Sequence, residues 1–264
     1  MQELFIFAVT MAYVSASAYQ DQPEIDNSSN IGNMHGRNAL PCQFPYQVRL
    51  LLKKDQERAY CGGSLIDHRW VLTAGSCTVD ADNVTVQLSS QNSSPYMTHI
   101  VNKKDIIVFK DFNDSIPFAD ISLIRIPYVE YNKNIQPVKL PTIQPQFQTY
   151  ADSEVVITGW ENTFNASNPD GEILHYAILK IINDTDCRTI YGEIISSALI
   201  CASTTSDISP WIGDSGAPLL QLPSLVQIGI TSFHTPDNQL GYTAGFTRVT
   251  SFLEWIKHQT SLTL

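Results

Sequence analysis

Three separated stretches of the sequence carry side chains that could do chemistry. The stretch CGGSLIDHRWVLTAGSC covers residues 61–77, FADISLIRI contains Asp120, and GDSGAPL contains Ser215. A serine hydroxyl is a poor nucleophile at neutral pH unless an adjacent base takes its proton. Flanking glycines allow a tight turn that can aim backbone N–H groups at a developing oxyanion. Nucleophilic chemistry at a serine is therefore open to this chain, provided that its fold brings the three stretches together.

The elements that must position these stretches are short strands. The chain has 264 residues, of which 43% are hydrophobic and 16% charged, as in an ordinary globular protein with a full-sized core. Strand-like runs follow one another from FPYQVRLLL at residue 44 to GFTRVT at residue 245, with polar or Gly/Pro/Asn-rich turns between nearly all of them. This pattern predicts an all-β fold, an antiparallel barrel or sandwich. One helix is predicted, roughly over residues 251–259, where Phe252, Trp255 and Ile256 share a face.

The N-terminus is predicted to direct secretion. An apolar run from Leu4 to Val14 is followed by small residues ending at Ala18, which is typical of a signal peptide over residues 1–18. The alternative, a membrane anchor, is disfavoured because the run is about half of the roughly 20 residues that span a bilayer. Residues 19–43 form a polar leader without periodicity. We therefore expect a secreted, extracellular protein with no membrane attachment.

Charge and motifs limit the partners. The balance of 16 basic and 26 acidic residues gives a formal charge of −10, which opposes binding to phosphate backbones, so nucleic acid is not expected as a partner. Neither an HExxH motif nor a paired CxxC motif occurs, so no metal and no cofactor is predicted.

Each N-x-S/T sequon of a secreted chain can carry a surface glycan. Six sequons occur, at Asn27, Asn83, Asn92, Asn113, Asn165 and Asn183.

The three stretches, in this order and separation, resemble the chymotrypsin-like serine proteases of the trypsin family. The similarity runs from Phe44 to the C-terminal helix and is particularly close to insect digestive proteases of the brachyurin type, in DIIVFKDFN, DISLIRIPYVEYN, VKLP and AGFTRVTSFLEWI. The resemblance implies two antiparallel six-stranded β-barrels with a C-terminal α-helix over residues 44–264. It also implies a triad mechanism in which serine attacks, histidine takes the proton and aspartate orients the histidine.

The resemblance assigns a role to each matching position. Ser215 matches the nucleophile, Gly213 and Ser215 the oxyanion donors, and Asp120 the orienting acid. The position of the base is occupied by Ser76. A serine hydroxyl is essentially never deprotonated near neutral pH, and its side chain is too short to link Asp120 to Ser215.

This departure leads to a prediction about function. We predict that the chain is not an enzyme but an inactive homologue, a pseudoprotease that binds extracellular proteins such as proteases, inhibitors or cascade components. In that role it would be a regulator, decoy or cofactor of proteolysis. The alternative is a serine hydrolase or endopeptidase that retains weak activity through Ser215 and the oxyanion hole.

Two further departures concern the pocket and the activation site. The resemblance places Ser209 at the base of the specificity pocket and Ser232, Phe233 and His234 along its wall, where an imidazole at residue 234 should obstruct the mouth. No basic residue precedes Asn33, where activating cleavage would fall. The new terminus that would pair with Asp214 is therefore not expected to form.

The five cysteines are assigned by the same resemblance. It pairs Cys61 with Cys77 and Cys187 with Cys201, and such bridges suit a secreted domain. Cys42 is left over. An odd cysteine in a secreted chain is either a buried thiol or a covalent link between two chains.

Overall fold

A computed structural model describes residues 37–89, 97–113, 118–144, 148–160, 174–192, 196–203, 215–234 and 243–264. Within these ranges the strands are β1 Arg37–Asn38, β2 Gln47–Lys54, β3 Glu57–Asp67, β4 Trp70–Thr73, β5 Asn83–Leu88, β6 Met97–Asn102, β7 Ile106–Val108, β8 Ser122–Arg125, β9 Glu154–Gly159, β10 His175–Ile181, β11 Leu199–Ser203, β12 Pro218–Gln221, β13 Val226–His234 and β14 Thr243–Arg248. The helices in the same ranges are α1 Gly75–Thr78, α2 Asp184–Tyr191 and α3 Leu253–Thr260. None of them is long and apolar enough to cross a membrane.

The first barrel is an antiparallel sheet in the order β6-β5-β2-β3-β4-β8-β7. Its two end strands, β6 and β7, are separated along the chain only by a 3-10 turn at Lys103–Asp105. They are therefore two halves of one broken strand, and the barrel has six strands. The sequence explains the strands, since β5 alternates three buried apolar side chains, Val84, Val86 and Leu88, with three polar residues that are only partly buried.

The second barrel has the order β1-β10-β11-β14-β13-β12-β9, and β9 also pairs with β10. That additional pairing closes six strands into a barrel, with β1 attached at the outside of β10. Inward-facing side chains such as Val155, Leu219 and Phe246 form its core. The predicted all-β fold of two six-stranded barrels with a C-terminal helix is confirmed.

A buried arginine supports the second barrel from within. Arg248, at the end of β14, is fully buried, and its Nη2 donates to Leu199 O at 2.8 Å while Nη1 donates to Gln148 O at 2.8 Å. Nη2 also lies 3.0 Å from Oδ1 of Asp184 in α2. Burial lowers the pKa of Arg248, while the charge of Asp184 opposes that shift. The guanidinium thus ties β11, β14 and α2 together.

Four elements were not predicted from the sequence: β1, α1, α2 and β12. Helix α2 was not predicted, although its first turn has a capping pattern: Asp186 N–H donates to Asn183 Oδ1 at 2.8 Å, and Asn183 Nδ2 donates to Asp186 Oδ2 at 2.7 Å. Strand β12 was not predicted either, and its first two residues, Pro218 and Leu219, end the motif GDSGAPL. The C-terminal helix begins at Leu253, after a 3-10 turn, and ends at Thr260, close to the predicted bounds.

The end of the predicted leader belongs to the folded body. Strand β1 pairs Arg37 with Tyr176 of β10, and Gln43 is buried. The boundary between leader and domain at residue 44 stays a prediction. The signal peptide, the remaining leader and Asn33 lie outside the described residues.

Candidate active site

The centre of the candidate site is a buried carboxylate. Asp120, just before β8, is 3% exposed. Its Oδ1 accepts the backbone N–H of Ser76 at 2.7 Å, and its Oδ2 accepts the hydroxyls of Ser76 at 3.1 Å and of Ser232 at 2.5 Å. Its backbone oxygen accepts the hydroxyl of Thr247 at 2.8 Å. The carboxylate is thus held from β13 and the segment after β4, and the backbone of Asp120 is held from β14.

Ser76 reaches Asp120 because α1 begins directly after strand β4. A Cβ at Gly75 would lie 3.1 Å from the ring of Phe112 and 3.3 Å from the backbone of Ile121. Only glycine therefore lets the segment approach the chain beside Asp120 without displacing its neighbours. The Cys61–Cys77 disulfide anchors the other side of Ser76 to β3. Ser76 itself is exposed.

Ser215 contacts the first barrel at β3 and at the segment after β4, which carries Ser76. Its carbonyl oxygen accepts the N–H of Gly62 at 2.8 Å and lies 3.5 Å from Cys77 Sγ. The next residue, Gly216, has φ +84°, and a Cβ there would overlap Thr73 Oγ1 and lie 2.5 Å from Gly62 O. A close approach and a left-handed backbone thus both require glycine after Ser215.

The electrostatics of the site are dominated by the burial of Asp120. Burial raises the pKa of this carboxyl, and the hydrogen bonds from Ser232 and Ser76 oppose the rise without cancelling it. Across the ranges that the structure describes, the side-chain partners of Asp120 are hydroxyls, and none is a cation. A buried carboxylate without a counter-ion is costly, and such groups are common at functional sites.

The predicted pocket residues fall in three places. Ser232 was expected in the pocket wall, but its hydroxyl is bound to Asp120. The ring of Phe233 packs edge-on against Tyr191, with centroids 5.0 Å apart, and fills the space above Gly245. The backbone of His234 pairs with Ala244 in the second barrel.

Other predicted site residues lie outside the described residues: Ser209, Gly213, Asp214 and the side chain of His234. Their predicted roles in the pocket base, the oxyanion hole, activation and obstruction stay predictions. Within the described ranges, no group of three or more His, Cys, Asp or Glu side chains could hold a metal ion.

The cysteines pair as the resemblance implied. The disulfides Cys61–Cys77 and Cys187–Cys201 are both formed. Cys42 takes part in neither, and its Sγ donates to Asn134 Oδ1 at 2.8 Å. A covalent dimer through Cys42 stays a prediction, which electrophoresis without reductant can decide.

The sequons are described in part. Asn83 begins β5, Asn113 is exposed, and Asn183 is the N-cap of α2. Asn27, Asn92 and Asn165 lie outside the described residues. Glycan attachment at all six stays a prediction.

The site combines Ser215 with a buried carboxylate, Asp120, that is bound by hydroxyls, at the junction of two six-stranded barrels. This combination is the framework of a serine hydrolase. The family model described as Trypsin matches residues 34–256, and the chain therefore belongs to the trypsin family.

Named relatives and a solved structure agree with this assignment. The chain is 36% identical over 265 residues to collagenase from Hypoderma lineatum, with 99% of each chain covered. It is 33% identical over 232 residues to brachyurin from Leptuca pugilator, which covers 86% of this chain and 98% of that protein. A solved structure of HL collagenase superposes with a TM-score of 0.79 at 35% identity, covering 87% of this chain and 99% of that chain. The predicted resemblance to the trypsin family, and to brachyurin-type proteases in particular, is confirmed.

These relatives contradict one prediction, that the chain is not an enzyme. Proteins that match it over most or all of its length carry the names of proteolytic enzymes. The prediction gave too much weight to residue 76. A triad that lacks one member still accelerates hydrolysis roughly 10³ to 10⁴-fold over water, through binding and the oxyanion hole, so a serine at that position does not by itself abolish catalysis.

Proposed function

We propose that this chain is a serine hydrolase, an endopeptidase by class, that acts weakly through Ser215. One observation carries the proposal: Asp120 is buried and bound by Ser76 and Ser232, and Ser215 contacts the same segment, with its carbonyl oxygen 3.5 Å from Sγ of Cys77. A chain that had only to keep the barrels together would not need a costly buried carboxylate at this place. Membership of the trypsin family supports the same reaction, acyl transfer from an amide or ester to a serine hydroxyl.

The activity is weak because the base is missing from residue 76. Loss of the base in another triad enzyme costs on the order of 10⁶ in turnover, and positioning and oxyanion stabilisation supply what remains. Ser76 cannot accept the proton of Ser215 near neutral pH. Its hydroxyl donates to Asp120 instead.

The proposed setting is an extracellular fluid, and the proposed partners are extracellular proteins such as proteases, inhibitors or cascade components. The two disulfides support an oxidising compartment. Slow turnover would leave a bound polypeptide in place for longer than fast turnover does. A weak protease of this kind can therefore also act by binding, as a regulator, decoy or cofactor of proteolysis.

Slow hydrolysis by the purified secreted chain tests the proposal. Gelatin and a peptide mixture serve as substrates, because one relative is named a collagenase, and the products are followed by mass spectrometry. Ser215→Ala, purified in parallel, is the matched control for contaminating proteases. We expect cleavage by the native chain that is lost in Ser215→Ala. Equal cleavage by both proteins would contradict the proposal.

A further inference from the structure

The buried carboxylate of Asp120 lies beneath an exposed side chain. Ser76 is exposed, whereas Asp120 is 3% exposed. The hydrogen bond from the Ser76 hydroxyl to the carboxylate, at 3.1 Å, is longer than those from the Ser76 N–H at 2.7 Å and the Ser232 hydroxyl at 2.5 Å. An exposed hydroxyl that leaves this bond is solvated by water at little cost. A solute with a better donor can therefore displace it and reach Oδ2.

The chemistry of Oδ2 favours one class of donor. A carboxylate without a counter-ion binds a group that donates a hydrogen bond and can carry a positive charge. Imidazole meets both requirements, since one ring nitrogen donates to the carboxylate while the other accepts a proton, and its pKa lies near neutral pH. Ser215 lies beside this position, because its carbonyl contacts Cys77, the residue after Ser76.

Histidines of the described part of the chain lie elsewhere. His68 is stacked against the rings of Tyr128 and Tyr131, and its Nδ1 donates to Val129 O at 2.7 Å. His99 lies on β6, His175 begins β10, and His258 lies in α3. None of these four side chains is among the groups that act on Asp120.

We propose that a histidine of the substrate, adjacent to the scissile bond, supplies the general base. Its imidazole binds Asp120 in place of the Ser76 hydroxyl and takes the proton of Ser215. The inference rests on the proposed function and deepens it, since it names the substrate class as histidine-containing polypeptides.

The proton and bond changes balance. Ser215 Oγ bonds to the carbonyl carbon while its proton passes to the substrate imidazole, and the carbonyl electron pair moves to oxygen. When the intermediate collapses, the C–N bond breaks, and the imidazolium returns the proton to the leaving amine. A histidine on the acyl side stays bound and activates the water that hydrolyses the acyl-enzyme. A histidine on the amine side departs with the product, so the acyl-enzyme accumulates.

Matched peptides test this inference. Each pair has histidine or glutamine at the residue before or after one scissile bond, and kcat/KM is measured for the full secreted chain. We expect the histidine peptides to be cleaved at least about 10²-fold faster, the contribution of a positioned base. The advantage should appear as the pH rises through about 6.5, where imidazole loses its proton. Histidine on the amine side should give a burst of about one product per enzyme molecule.

Variants separate the alternatives. In Ser76→His the advantage of histidine peptides should fall to about one, because the chain then carries its own base. His234→Gln should keep the same advantage; an advantage that appears or grows only in this variant would assign the base of the native chain to His234 and overturn the inference. Imidazole added to the native chain should accelerate cleavage of the glutamine peptides saturably, an outcome that requires no variant to fold.

Two failures are distinguishable. Equal cleavage of histidine and glutamine peptides, lost in Ser215→Ala, would overturn the inference and leave the proposed function standing. Absence of any cleavage that depends on Ser215 would overturn both.

Discussion

Restoring a histidine at residue 76 should raise the rate of Ser215-dependent hydrolysis. The structure fixes what the change alters. The backbone N–H of residue 76 keeps its 2.7 Å bond to Asp120 Oδ1, and Ser232 keeps its bond to Oδ2. Only the 3.1 Å bond from the Ser76 hydroxyl is replaced, by a ring N–H that donates to the same oxygen. Because Ser76 is exposed, the larger ring needs no rearrangement of a packed core.

The expected gain follows from the role of the base. A positioned general base contributes about 10² to 10⁴-fold, which corresponds to roughly 3 to 5 kcal/mol of activation free energy. We expect a gain in this range for Ser76→His rather than the roughly 10⁶ of a complete triad, because the predicted obstruction at His234 and the missing activation site remain. The rate should rise with pH through about 6.5 as the new imidazole loses its proton.

The assay compares kcat/KM on one ester and one amide substrate without histidine. Ser76→Gln is the matched control, since it adds a side chain of similar length that cannot accept the proton. Combining Ser76→His with Asp120→Asn should remove most of the gain, because the aspartate sets the tautomer of the base. An unchanged rate in a folded Ser76→His protein would refute the assignment of Asp120 and Ser215 to one catalytic unit.

Three further predictions concern stability. Asp120→Asn should raise the free energy of unfolding at pH 7 but not at pH 3, which urea titrations can measure. Because burial raises the pKa of Asp120, the carboxyl binds a proton more tightly in the folded state. Its ionisation therefore costs stability as the pH rises through the folded pKa. Gly216→Ala should cost roughly 3 kcal/mol or more, since it adds overlap to a positive φ. Gly192→Ala, at φ +71° and ψ −151° with nothing within 4 Å of the added Cβ, should cost less, about 1 to 3 kcal/mol, through backbone strain alone. Arg248→Met should cost roughly 3 to 5 kcal/mol by leaving buried polar partners unpaired, whereas Lys54→Met, in an exposed ion pair with Asp80, should change stability little.

Each stability prediction has an outcome that contradicts it. For Asp120 it is an equal change in unfolding free energy at the two pH values. For the glycines it is an equal cost at Gly216 and Gly192, which would mean that the close approach to Gly62 and Thr73 does not matter. For the arginine it is a loss no larger than that of Lys54→Met.

Alternation of apolar and polar residues predicts strands such as β5 and an all-β fold, whereas the two six-stranded barrels were predicted from the family resemblance. The three buried positions of β5 can be read directly from NVTVQL. The two disulfides came from the resemblance and depend on cysteines that are plain in the sequence. Helix α2 was missed because its eight residues show little apolar periodicity, and only the capping residues Asn183 and Asp186 mark its start.

The candidate site was predictable as a set of residues but not as a set of contacts. Asp120, Ser76 and Ser215 were found from three motifs, whereas the bond from Ser232 to Asp120 was not. That bond depends on how β13 passes the start of β8, and the register of β13 shifts at Ser232, so strand alternation does not predict the direction of its hydroxyl. The raised pKa of Asp120 likewise depends on burial by segments that lie far apart in the sequence. Local sequence patterns do not predict such burial.

Labelling of Ser215 by a fluorophosphonate tests the central claim most directly, because an ordinary serine hydroxyl does not react with the probe and one activated as a nucleophile does. The secreted chain is incubated with the probe and analysed by intact mass and peptide mapping, with Ser215→Ala as the control. We predict a slow, stoichiometric adduct on Ser215 that is absent from the control and forms faster in Ser76→His. No adduct on Ser215 in the folded native chain would contradict the claim that this protein hydrolyses its substrates through that residue.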